Sequence, residues 1–452
     1  MEQTASVHDE GDGAYRMMRV GGLGYGLSPA ARGEALARLL TLVGCFFLSW
    51  QLIRVPQVNF TLSDGAIILA LAILLLSGRL NPSLFGRLTG LWIFGVLLML
   101  AGLFAGSIVH GLADRWLLVA AQYFIALMVL PVVMTSFGRD FLHQCGLAFA
   151  SGVAGSQILG ILALQFFGYH ALTPYVGRTV VLGNDRIGAM TAEPNANGAV
   201  CVFAVIIVLA ALLEKRLRLP VGLLIIALCL AGLAFSASFT SVLALVLSTA
   251  LIGLLTWSTG AWRIGVPLIM AAVFYVGLGG PLPEVFLDRV GEAIVDLDLS
   301  QAGTFVSRAE LMGEAWRLAD GNLVLGLGVD RFREASIHGA PVHNLPLLLL
   351  NEGGVISFLG LAALLLCLLT ASILLGRTDR LGGVICFAAL FVALIYVMSL
   401  PHMYARHWFG PVILIFAAYM MPRVRSGVVE PSGEPHYDAA LPGFAINRAA
   451  SK

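Results

Sequence analysis

Long apolar runs, each close to the length that crosses a bilayer, alternate with short polar breaks along most of this chain. A bilayer core about 30 Å thick needs roughly 20 apolar residues per helix. That ruler predicts about twelve spans, near 35–54, 61–78, 88–109, 115–136, 141–167, 195–213, 219–237, 239–257, 262–280, 344–374, 381–400 and 408–422. Ser236, Ser238, Thr240 and Ser241 divide two of these with almost no loop. The 344–374 run exceeds one crossing and contains Asn351-Glu352-Gly353-Gly354, which predicts a kink, a tilt or a portion outside the lipid. The expected fold class is an all-α integral membrane protein. A polytopic domain over 35–422 lies between polar tails at 1–34 and 423–452, both expected on the cytoplasmic side.

Composition narrows the class further. The 452 residues are 59% hydrophobic and 12% charged, with a mean hydropathy of +0.90. Soluble domains carry about 25% charged residues, so too little polar side chain exists here to cover a water-facing surface. A soluble, disordered or fibrous protein is excluded. A net charge of +1 gives no support for a nucleic-acid partner. All six cysteines fall in apolar runs and read as small buried hydrophobes. The first thirty residues are polar and Gly-rich, and predict no signal peptide.

Basic residues set the orientation. Lys215-Arg216-Leu217-Arg218 and Arg377-Thr378-Asp379-Arg380 fall on one side, with Arg79, Arg87 and Arg139, and that side is predicted to be cytoplasmic. The two long polar segments, about 168–194 and 281–343, are then exoplasmic.

The first outer segment carries Arg178 and Arg186, then Glu193-Pro194-Asn195, with Pro194 suited to the first turn of the next span. Each arginine is either solvated or paired, for example with Asp185, or part of an anion clamp, because guanidinium grips phosphate bidentately. Arg186 lies closer to the helix entrance and is the stronger candidate.

In the second outer segment, Ser307-Arg308-Ala309-Glu310 has the form of a capping box, with Ser307 as N-cap. The helix is predicted to run to about Asp320 with an apolar stripe of Leu311, Met312, Ala315, Trp316 and Ala319. Arg308 lies on that stripe at helical spacing, and an arginine in a first turn opposes the helix dipole unless an anion binds there. Arg317 points elsewhere. Gly326-Leu327-Gly328 reads as a turn. Asn344 is expected to cap the following span, with Pro346 in its first turn, which puts His343 at the membrane boundary. An imidazole there suits general base work or a structural role. Glu352, about 12 Å further along the same helix, is either a functional intramembrane acid or a polar group at a wet kink. His338/His343 and His402/His407 match no zinc spacing, and no Walker motif or Gly-x-Ser-x-Gly elbow is present.

Taken in order along the chain, several features resemble the O-antigen ligase and O-antigen polymerase superfamily of bacterial membrane glycosyltransferases. They are about twelve spans; Arg186-x-Gly188 before Pro194-Asn195; a large late outer loop with Ser307-Arg308 and Trp316; Gly326-x-Gly328 and Phe332; and His343-Asn344 opening a span that contains Asn351-Glu352-Gly353-Gly354. The resemblance implies a GT-C-like fold in the bacterial inner membrane with its active site facing the periplasm. It implies a donor glycan on undecaprenyl diphosphate and lipid A–core as acceptor, transferred with inversion and without a metal or other cofactor. Arg186 and Arg308 would hold the diphosphate and His343 would be the base. Arg178, Ser307, Asn344 and Glu352 would contribute to substrate binding. A second lipid-linked repeat unit as acceptor would make the protein a polymerase. A transporter or flippase of lipid-linked sugars is the third reading, kept open by Glu352, although the suggestive polar groups lie mainly in outer loops.

Overall fold

A computed structural model describes residues 29–55, 57–110, 112–176, 180, 186–256, 283–287 and 305–421. The described chain is almost wholly helical. It comprises α1 (Pro29–Phe46), α2 (Leu62–Leu76), α3 (Thr89–Val109), α4 (Ala113–Phe124), α5 (Leu130–Thr135), α6 (Arg139–Val176), α7 (Pro194–Leu213), α8 (Leu219–Ser236) and α9 (Phe239–Thr256), besides later elements. These are α10 (Phe305–Asp320), α11 (Arg331–Ala335), α12 (Leu345–Gly376), α13 (Arg380–Val397) and α14 (Arg406–Met420). A two-residue hairpin pairs β1 (Arg54–Val55) with β2 (Phe60–Thr61). A π-turn over Ile125–Val129 joins α4 to α5 in one apolar rod.

Among the described residues, eight helices are long and apolar enough to cross a membrane. The chain is therefore an all-α, multi-pass membrane protein. Two further expected spans coincide with α2 and α14, and the one expected at 35–54 only overlaps α1, which begins at Pro29 and ends at Phe46 before the hairpin; all three are shorter or less apolar. The expected span at 262–280 lies outside the described residues. Ala237 takes a left-handed conformation (φ 43°) and turns the chain sharply between α8 and α9, where the serines predicted a near-loopless break. At 38 residues, or about 57 Å at 1.5 Å per residue, α6 extends past the boundary expected at 167. All six cysteines are buried and free.

The bundle is ordered around α7, whose span is 94% buried. Against it lies α14, buried along nearly its whole length. Helix α3 packs closely on α12 because glycines remove side chains from the seam: a Cβ on Gly102 would lie 2.5 Å from the Gly353 carbonyl oxygen. Ser357 Oγ donates to Met99 O (2.8 Å) across the same seam. Close backbone approach through small residues is the usual way helices associate where lipid offers no hydrophobic gain.

The two ends of the bundle differ in charge. At the basic end, Arg139 Nη2 donates to Glu214 (3.1 Å) and Asp379 (3.0 Å), and Arg216 Nη1 to Asp140 (2.8 Å). These contacts tie the starts of α6 and α13 to the end of α7. At the other end, the 47–61 hairpin, the 186–193 turn, the 321–344 loop and the 398–405 loop converge. Leu52 N–H donates to Met190 O (3.2 Å) and Val329 N–H to Ser107 Oγ (3.1 Å).

Candidate functional site

The loop end is organised by a break in α12. Asn344 Oδ1 accepts from Leu347 N–H (3.0 Å), so it caps this helix as its residue type predicts, with Pro346 in the first turn. About two turns beyond Pro346 the helix fractures at Gly354, whose φ of 64° and ψ of −170° are open essentially to glycine alone. The freed backbone groups are not left bare. Leu327 N–H donates to Asn351 O (2.7 Å), Gly328 N–H to Glu352 O (2.9 Å), and Val355 N–H to Leu323 O (2.7 Å). Residues 323–328 are thereby fitted into the broken helix, and irregular backbone at this depth is tolerated because protein satisfies it. Gly326 (φ 73°) completes the fit, since a Cβ there would lie 2.5 Å from the Glu352 backbone. The Gly326-x-Gly328 pair is a turn, as its sequence suggests.

Above this break sit two of the candidate residues. Helix α10 starts at Phe305, which places Ser307 in the first turn and not at the N-cap expected of a capping box. The helix buries Leu311, Ala315 and Ala319, while Trp316 is exposed despite its place on the expected stripe. The reason is spacing: 311, 315 and 319 form one i, i+4 row, and 316 falls a full residue off it. Asn351 Nδ2 donates to Ala315 O (3.0 Å) and fastens α10 over α12. Arg308 is partly buried near the start of α10, close enough for its charge to act on His343.

His343 is itself partly buried, and its Nδ1 atom is buried with no hydrogen-bond partner among the described residues. Burial, and then the Arg308 guanidinium, hold the imidazole pKa below its ordinary value; a backbone hydrogen bond with Ser399 opposes them. The neutral ring is the form that can accept a proton.

Arg186 belongs to another hydrogen-bonded group. Its Nε donates to Ser236 O (2.8 Å) and its Nη2 to Asn195 Oδ1 (3.1 Å). Asn195 Oδ1 also accepts from Ser238 Oγ (3.1 Å), and Tyr396 OH donates to Ser241 Oγ (2.7 Å). Glu193 caps α7 by accepting from Asn195 and Ala196 N–H, with Pro194 next in line as expected. Arg186 thus holds together the loop before α7 and the α8–α9 turn. Arg178 lies outside the described residues.

Glu352 faces inward at the helix break, 1% exposed. His402 Nε2 lies 2.8 Å from its Oε2 atom and 4.0 Å from Asp330 Oδ1. Asp330 also pairs with Arg115. Burial alone would lower the His402 pKa, but the Glu352 and Asp330 carboxylates outweigh it and raise the value above the ordinary one. His402 thus lies between two carboxylates, one of them paired with Arg115. Ligand atoms of Asp330, Glu352 and His402 all lie within 4.8 Å of one another, so these three are the described residues best placed to hold a cation. Of the two carboxylates, Asp330 is already paired with Arg115. Sequence reasoning tested His402 only against His407 and missed these partners, because they come from α12 and the 321–344 loop.

A polar cavity of about 370 Å³ adjoins this network, between the 51–59 segment, α4 and the 402–407 segment. Arg54, Arg115, Gln122, His402 and His407 are among its walls. None of Arg186, Arg308 or His343 lines it. Below it, Arg406 forms a buried ion pair with Asp64 and donates to Gln122. Compared with known protein families and with curated proteins, the chain matches none.

Proposed function

We propose that this protein is an inverting membrane glycosyltransferase that moves a glycan from undecaprenyl diphosphate to a sugar hydroxyl, with its active centre at the loop end of the bundle. The observation that carries the reading is a partly buried Arg308 at the start of α10, near enough to the partly buried His343 that burial, and then the guanidinium charge, lower the imidazole pKa. The chemistry asks for both. Departure of a diphosphate develops negative charge, and a cation positioned where water is scarce stabilises that charge more than bulk solvent can. An attacking hydroxyl must lose a proton, and a neutral imidazole at the membrane boundary accepts it.

In this scheme the acceptor oxygen forms a bond to the anomeric carbon as the carbon–oxygen bond to the diphosphate breaks. The proton passes to His343, and the diphosphate leaves against Arg308. Arg186 supplies a second cation at the same end, positioned by Ser236 and Asn195. Asn344 acts through the helix start it caps, with Ser307 and Arg178 as further contacts of the donor. Glu352 belongs to the framework, through His402 and the loop fitted at Gly354. Metal chemistry has no assigned step. The sidedness of the basic loops supports placing the loop end on the exoplasmic side, and the resemblance implies that the membrane is a bacterial inner membrane.

The resemblance to O-antigen ligases favours lipid A–core as acceptor. The polymerase reading uses the same two groups and differs only in the acceptor. Purified protein offered a lipid-linked repeat unit, with and without lipid A–core, separates them. Glycan on core is the expected product. Elongated lipid-linked glycan would make the protein a polymerase, and sugar crossing a vesicle membrane with no new bond would make it a transporter.

A further inference from the structure

The cavity beside Glu352 and His402 contains none of the groups assigned above to transfer. At about 370 Å³ it falls within the roughly 300–1,000 Å³ of small-molecule sites. Its lining includes two arginines, Arg54 and Arg115, and no carboxylate. Asp330, which pairs with Arg115, is not among the lining residues. With Arg115 offset by Asp330, the uncompensated positive charge among the described lining residues is Arg54, which is held only by a neutral amide and favours an anion.

Two buried polar groups on the wall say more about the occupant. His407 is 4% exposed, and neither ring nitrogen has a hydrogen-bond partner among the described residues. Gln51 is 2% exposed; its Nε2 donates to Leu48 O (3.2 Å), while its Oε1 atom has no partner among the described residues. Buried polar atoms without partners are uncommon and costly. A carboxamide oxygen can only accept, so whatever satisfies Gln51 must donate. A neutral imidazole offers one donor and one acceptor, so its partner must do both. A fully deprotonated anion can only accept, and leaves the Gln51 oxygen unmet. A hydroxyl meets both.

The remaining walls fit the same occupant. Gln57 brings an exposed amide able to pair with a ring hydroxyl, and Tyr404 brings an aromatic ring. Arg54 is already braced, its Nη1 donating to Asn59 Oδ1 (2.6 Å). The 398–405 loop carries both His402 and Tyr404, which line the cavity, and Ser399, whose backbone acts on the proposed base His343.

We infer that this cavity binds an acidic sugar, a pyranose carrying a carboxylate or a phosphate, as a subsite for the glycan that the protein handles. The role as a glycan subsite rests on the transferase reading; the binding itself does not. Arg54 and Arg115 engage the acid group, and Gln51 and His407 read the hydroxyls.

Full-length protein in nanodiscs, titrated with D-glucuronate, glucose 6-phosphate, glucose and inorganic phosphate, tests it by equilibrium binding. At least one acidic sugar is expected to bind tenfold or more tightly than glucose and inorganic phosphate. Arg54→Ala, an exposed position, should weaken that binding at least fivefold while thermal unfolding stays unchanged. Gln57→Ala, also exposed, should weaken it two- to fivefold, which keeps the test valid should the Arg54 variant fold poorly. Equal binding of inorganic phosphate, no saturable binding of either acidic sugar, or indifference to both substitutions would overturn the assignment. Selective binding by a protein that makes no new glycosidic bond would keep the site and remove the transferase reading.

Discussion

The proposed chemistry depends on a single proton-accepting ring, and its neighbours make that dependence measurable. Burial and then the Arg308 charge keep His343 below the usual histidine value of about 6.5. Removing the cation leaves burial in place, so Arg308→Ala should move the His343 pKa upward, toward the ordinary value. A histidine-selective NMR titration reads this directly, without needing turnover. A downward shift, or none, would mean that the guanidinium does not act on the ring. The sign for catalysis follows: in the wild type the base form persists to lower pH, so the acidic limb of the rate profile should lie below pH 6.5. A second residue-scale test concerns the buried pair Arg406–Asp64. Taking away one member of a buried pair typically costs about 3–5 kcal/mol, because the other charge is left uncompensated. Asp64→Asn should therefore lower the midpoint of denaturant unfolding sharply, while the exposed pair Arg331–Glu334 should be replaceable at well under about 1 kcal/mol.

At the scale of elements, the break in α12 is the feature that positions everything around it. Gly354→Ala puts a Cβ where φ is positive and where the Val324 carbonyl already lies. Backbone strain of that kind costs about 1–3 kcal/mol, and the fitted 323–328 segment must also move. Reduced thermal stability, with faster proteolysis within 321–330, is the expected result; a variant as stable as wild type would show that the fracture is not held by glycine. Much of this region was legible in the residues. Asn344 before Leu345-Pro346 has the chemistry of a cap, and Asn351-Glu352-Gly353-Gly354 inside an overlong apolar run signals a discontinuity. The identity of the inserted segment was not legible, because its bonds to Asn351 and Glu352 are backbone bonds that leave no side-chain pattern. Ser307 misled for a related reason: a capping box and an ordinary first turn share the same residues, and only the backbone start at Phe305 decides between them. The link from His402 to Glu352 spans fifty positions, beyond any local spacing rule.

For the whole molecule, hydropathy and basic loops placed most of the spans, since a bilayer dictates both length and sidedness. They revealed nothing of the cavity, whose walls come from the 51–59 segment, α4 and the 402–407 segment. Sidedness is testable through single cysteines in a chain whose six native thiols are buried. A cysteine at Gln57 should react with an impermeant maleimide from the face opposite to one at Lys215, and labelling of both from one face would invalidate the topology. The central claim, that His343 deprotonates the acceptor beside Arg308, is tested most directly by the initial rate of glycan transfer from polyprenyl diphosphate. Wild-type protein and His343→Ala should be compared in the same nanodiscs, with folding checked by thermal unfolding. General base catalysis contributes about 10²–10⁴-fold, so the variant should lose at least a hundredfold in rate while remaining folded. A folded variant that transfers glycan within a few fold of wild type would contradict the account.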